Sequence, residues 1–150
     1  MGETREGGRR CGQVRFEVSA PEMLTMVCHC RGGQRMSGGA FALGLTVPAA
    51  GFAVTAGEPV IGGMHGDVQH FHCPHCMSWV FTRPPGVPIV NVRTTMLDAP
   101  GDAAPFLEMC AAEKLAWVSV PAAHSFPGFP PNDAWPGLIA SYGQAQAAAG

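Results

Sequence analysis

Six cysteines stand in this chain, at Cys11, Cys28, Cys30, Cys73, Cys76 and Cys110, and they fall in patterns that bind metals. In Cys73-Pro74-His75-Cys76, a tight turn can bring both thiolates to one tetrahedral ion at about 2.3 Å. The same spacing also admits a redox dithiol or two inert thiols, although no βαβ pattern surrounds it to favour redox chemistry. One such knuckle supplies two ligands, so a structural site needs further donors from elsewhere in the fold. Cys28-His29-Cys30 is different. At i and i+2 of an extended segment both thiols face one way and His29 the other. Such a pair can share a metal with a position left open, or it can be two buried apolar cysteines of a core strand.

The elements that must position these residues are short. With 20 glycines and 14 prolines in 150 residues, the chain favours turns and short strands over long helices. Period-two alternation marks a strand at 13–18, and apolar runs suggest others at 24–30, 40–47, 52–55 and 89–93. Segments 67–72 and 78–82 read as a hairpin carrying Cys73 and Cys76 at its tip, and Arg31-Gly32-Gly33 reads as a turn. Residues 103–116 carry the best run of helix formers, and 143–150 are expected to fray. The reading is one mainly-β domain over 1–150, without repeats or a dividing linker.

Charge and hydropathy exclude several classes of function. The formal charge is −2 and Lys114 is the one lysine, so no basic surface for nucleic acid is expected. No apolar run approaches the ~18–20 residues of a membrane helix. The first twenty residues lack the apolar core of a secretory signal, which leaves a cytoplasmic location as the expectation. In a reducing compartment, close cysteine pairs point to metal chemistry rather than disulfides.

An ordered series of motifs carries a family likeness. It runs Cys11-Gly12-Gln13-Val14-Arg15-Phe16, Cys28-His29-Cys30, Gln34-Arg35-Met36-Ser37-Gly38, Gly57-Glu58-Pro59 and Phe71-His72-Cys73-Pro74-His75-Cys76. Asn91-Val92-Arg93, Met96-Leu97-Asp98, Lys114-Leu115-Ala116-Trp117 and Phe126-Pro127-Gly128-Phe129-Pro130-Pro131 follow. Over about residues 7–131 the chain resembles the glutathione-dependent formaldehyde-activating enzyme family, also called the CENP-V/GFA domain. The resemblance implies a Mss4-like fold of antiparallel sheets around a zinc knuckle, with two zinc sites. It implies a structural zinc on an N-terminal C-x-C pair and the later C-x-x-C pair, and an active-site zinc on C-H-C-x-x-C. The implied activity is condensation of formaldehyde with the thiol of glutathione, a carbon–sulfur lyase reaction.

Two departures strike implied ligands. Arg9 stands at the first cysteine of C-x-C, leaving Cys11, Cys73 and Cys76 for the structural zinc. A guanidinium has no lone pair to give a metal. Gly33 stands at the last cysteine of C-H-C-x-x-C, leaving Cys28 and Cys30 as the remnant of the active-site cluster. About one structural zinc is therefore expected, with no second ion counted on. His70, His72 and His75 are the candidates to complete a site, against the plainer reading that they are solvated. Cys110 reads as a buried thiol in an apolar stripe, His29 as either functional or packed, and Trp117 and Phe126 as core or groove aromatics. Three readings stay open: an altered family enzyme acting on a small thiol or carbonyl compound, a zinc-stabilised binding module, and a divergent lyase or isomerase that no longer needs the second zinc.

Overall fold

The computed structural model describes residues 3–101 and 103–150. Among these residues the chain runs β1 (Arg5–Gly8), β2 (Arg15–Val18), β3 (Leu24–Cys28), α1 (Arg31–Ser37), β4 (Ala42–Pro48) and β5 (Phe52–Ala56). It continues β6 (Val60–His65), β7 (Val68–His72), β8 (Trp79–Arg83), β9 (Ile89–Val92), β10 (Leu107–Met109), β11 (His124–Ser125) and α2 (Trp135–Ala149). Short strands dominate, so the mainly-β expectation holds. Two compact units form, one from Met1–Glu22 and Leu45–Ala103, the other from Met23–Gly44 and Ala104–Gly150.

In the first unit, β1, β2 and β5 form an antiparallel sheet, and β9, β8, β7 and β6 are hydrogen-bonded in that order, with β4 pairing β9. Alternation explains the register. Phe16 and Val18 are buried while Arg15 and Glu17 are half-buried, so β2 gives one face to the core. Phe52, Phe71 and Phe81 meet there, with Phe81 centroids 4.7 Å from both partners. The expected hairpin is present as β7 and β8, with Phe71 opposite Phe81 and His72 opposite Trp79. β1 and β6 escape sequence reading because glycine hides them. A Cβ on Gly7 would lie 2.4 Å from the Phe16 ring, so the strand exists only because residue 7 has no side chain. β6 is an exposed edge strand with two glycines inside it.

In the second unit, β10 lies parallel to both β3 and β11, with Leu107, Glu108 and Met109 opposite Met26, Val27 and Cys28. Here the structure corrects the helical reading of 103–116. Leu107–Met109 is buried on both faces, but its three residues all favour helix and are too few for period-two alternation to outweigh propensity. A 3-10 turn at Ala111–Glu113 follows. The Arg31-Gly32-Gly33 turn is instead the start of α1. Residues 143–150, expected to fray, are helical through Ala149. Pro136 opens this helix, its alanine-rich end suits one, and Leu138 and Tyr142 at i and i+4 bury it against Leu24, Met26, Leu107 and Met109. No helix of the described residues is long and apolar enough to cross a membrane.

Candidate metal centres

Two hairpin tips of the first unit build the first centre. Between β1 and β2 the chain turns through an Arg9 N–H to Val14 bond of 3.0 Å and a Gly12 N–H to Arg9 bond of 2.8 Å. Gly12 closes that turn at φ 76°, a left-handed conformation that glycine adopts without a Cβ clash, and Cys11 stands beside it. At the β7–β8 tip, the Cys73 N–H donates to Ser78 at 3.0 Å and the Met77 N–H to Cys73 at 2.8 Å. This curls Cys76 back toward Cys73.

The sulfurs of Cys11 and Cys73 lie 3.6 Å apart, and the three thiols of Cys11, Cys73 and Cys76 fall within 4.8 Å of one another. Three soft donors at that spacing fit a thiophilic ion and could hold one. Arg9, at the implied fourth ligand, turns its guanidinium to the cluster, its Nε donating to Cys76 Sγ at 3.3 Å and a second nitrogen lying 2.8 Å from Met96 Sδ. That hydrogen bond is the main cause that brings the Cys76 thiol down to about 6. No histidine joins the group. His70 Nδ1 is committed to Thr82 Oγ1 at 2.8 Å, His72 Nδ1 to the His70 carbonyl at 3.2 Å, and His75 is exposed.

The second unit holds the other cysteines. Cys28 ends β3, and Cys30 caps α1, its sulfur accepting the Gly33 N–H at 3.2 Å. A Cβ on Gly33 would sit 3.2 Å from Cys30 Sγ and 3.3 Å from the Ala42 Cβ. Position 33 therefore opens directly on Cys30. Burial pushes the Cys28 thiol well above its ordinary range, and the Cys30 and Cys110 sulfurs add to the rise. Cys110, read from sequence as a buried apolar thiol, is indeed 2% exposed, and it sits in the buried cluster against which Cys28 and Cys30 pack. Sequence gave no sign of these neighbours, since only the β3–β10 pairing brings them together. All six cysteines are free.

His29 points to the opposite face. It is fully buried, with Nε2 2.9 Å from Glu108 Oε1 and its ring edge-on to Phe41 at 5.7 Å, and Lys114 Nζ lies 3.8 Å from the same carboxylate oxygen. Its place is in packing, away from the thiols. Gln34, buried in α1, donates to the His29 and Glu113 carbonyls at 2.8 and 3.1 Å and so fixes the helix beside the cysteines. Phe126 packs on the second core, but Trp117 is 77% exposed and belongs to neither core, so of its core-or-groove reading the core half does not hold.

The family model described as "Glutathione-dependent formaldehyde-activating enzyme" matches residues 4–113, a span that takes in every cysteine. Among curated proteins, no relative matches the chain. Among solved structures, the chain is similar to a crystal structure of a Rhodobacter sphaeroides protein, a structural-genomics target, at 20% identity and a TM-score of 0.52. That match covers 62% of this chain and 87% of the other. At such identity the likeness speaks for the fold. The family's fold is Mss4-like and mainly β, as observed here. By the extent of the family match, the chain belongs to the glutathione-dependent formaldehyde-activating enzyme family.

Proposed function

We propose that this chain is a carbon–sulfur lyase-type protein that takes a small thiol such as glutathione to the Cys28–Cys30 site and joins it slowly to formaldehyde. The product is S-hydroxymethylglutathione. In that reaction the thiol sulfur bonds to the carbonyl carbon, the C=O π bond opens onto oxygen, and the thiol proton ends on that oxygen. The family match supports the reaction type. The observation that carries the slow rate is Gly33, which lies against Cys30 without offering a donor. Two of the three thiolates that the family motif implies remain within the motif, Cys28 and Cys30. An ion at such a site stabilises the thiolate form of a bound thiol. Among the chain's own residues, Gln34 ties α1 to the His29 and Glu113 backbone, and the thiols of Cys28 and Cys30 are half-buried beside it.

The Cys11, Cys73 and Cys76 cluster is, in this reading, a structural zinc site remote from chemistry. Exchange between free and glutathione-bound formaldehyde, followed by NMR, tests the proposal. Glutathione is expected to bind, with exchange only slightly above the buffer rate and back at that rate in Cys28→Ser. The vacant ligand position also favours a second reading, a zinc-stabilised binding module without turnover. A chain that neither binds glutathione nor changes the exchange rate supports that module and overturns the enzyme.

A further inference from the structure

Cys110 holds a backbone conformation that its residue type avoids, at φ 54° and ψ 40°. A left-handed conformation is costly for a non-glycine residue, and such outliers gather at functional sites. The geometric effect here is specific. Leu107 and Met109 of β10 are registered with Met26 and Cys28 and share their face, while Glu108 turns to His29. Continued alternation would send residue 110 to the His29 face. The left-handed step at Cys110 breaks the alternation and keeps the residue in the buried cluster of Leu107 and Met109, against which Cys28 and Cys30 pack. Flanking hydrogen bonds fix that step: the Cys110 N–H donates to Gly128 at 2.9 Å, the Ala111 N–H to Phe126 at 3.0 Å, and the His29 N–H to Met109 at 3.0 Å.

Cys28 and Cys30, two residues apart in the chain, thus pack against the cluster that holds Cys110, which follows Met109, the register partner of Cys28. The three sulfurs are not all within 4.8 Å of one another, as those of the first centre are. Closing on an ion asks a side-chain rotation of Cys30 or Cys110. The geometry points to Cys110 as the third thiolate that position 33 fails to supply, so that Cys28, Cys30 and Cys110 together bind one thiophilic divalent cation. The inference rests on the reading of the Cys28–Cys30 site given above, and it assigns the missing donor to a strand outside the C-H-C-x-x-C motif. Cys110 is buried, so the ligand arrives from the core side rather than from α1.

Cobalt(II) is the probe, added to the reduced full-length chain and followed by the thiolate-to-cobalt charge-transfer band with stoichiometry by elemental analysis. The native chain should bind about two ions, one at each centre. Cys110→Gly is the informative variant, because glycine relieves the left-handed strain and the fold is retained. It should bind about one ion, with the weaker site's affinity reduced at least tenfold. Cys76→Ser should also bind one, held at the other centre. Gly33→Cys in the Cys110→Gly background should regain the second ion. Two ions in Cys110→Gly, one ion in the native chain, or a Cys28–Cys110 disulfide in place of the second ion would each overturn the inference. Cobalt binding needs no glutathione, so its failure is separate from failure of the proposed reaction.

Discussion

The Arg9 guanidinium donates to the Cys76 sulfur at 3.3 Å, inside the cluster where the family resemblance implies a cysteine. A fixed cation there supports the thiolate form of Cys76 but competes with a metal for it. Exchanging Arg9 for cysteine exchanges one form of charge compensation for another. Arg9→Cys should complete a closed four-thiolate site, tighten zinc and raise the melting temperature, leaving the condensation rate unchanged. Calorimetry with and without zinc reads this, and an unchanged melting temperature in the zinc-loaded variant would show that residue 9 does not reach the ion.

Cys76→Ser should act in the opposite sense. Metal binding at such a site is coupled to folding, so losing one of three thiolates should release the ion and lower the melting temperature. In a chain of this length each kcal/mol lost is worth roughly 2–4 °C. A chelator should lower the melting temperature of the native chain by more than that of the variant, whose remaining ion sits at the other centre. A Cys76→Ser protein that loses as much as the native chain on chelation would place the structural ion elsewhere.

His70 supplies a pH prediction. Burial beside the Trp79 ring, with Arg93, His72 and His65 nearby, lowers its pKa from the ordinary histidine value. A histidine whose folded pKa lies below its unfolded value opposes folding when protonated. Its contribution is therefore full above the unfolded pKa of about 6.5 and declines as pH falls below it. NMR titration should give His70 a midpoint below the ordinary histidine value, and His70→Gln should flatten the loss of stability as pH falls below about 6.5. A His70 midpoint at or above about 6.5 would contradict the packing described here.

Glu108 and His29 form the buried polar contact of the second unit, 2.9 Å apart. Removing Glu108 leaves the fully buried His29 ring without its polar partner. Glu108→Ala should cost about 3 kcal/mol, whereas the paired His29→Leu/Glu108→Leu change should cost less than the sum of the single changes. Urea denaturation of the four proteins gives that coupling directly. Additive single effects would mean that the two side chains do not interact.

Much of the fold was legible in the sequence. Alternation in Arg15–Val18 marked its strand, and the spacing of Cys73 and Cys76 between two apolar runs marked both the hairpin and the tip whose thiols could hold a metal ion. These features are local: side-chain period and turn chemistry act over a few residues. The resemblance also identified Arg9 and Gly33 as the positions where ligands are missing. The tertiary structure alone decided which residues meet them. Arg9 reaches Cys76 across 67 residues of chain, and Cys110 joins the cluster beside Cys28 through a parallel pairing of β3 with β10, a contact with no turn signal to announce it. The histidines beside the knuckle looked like ligands by proximity in sequence, yet strand pairing turned His70 to Thr82 and left His75 in solvent. Sequence spacing fixes which donors can reach one turn; long-range strand register and one left-handed residue decide which thiols share a site.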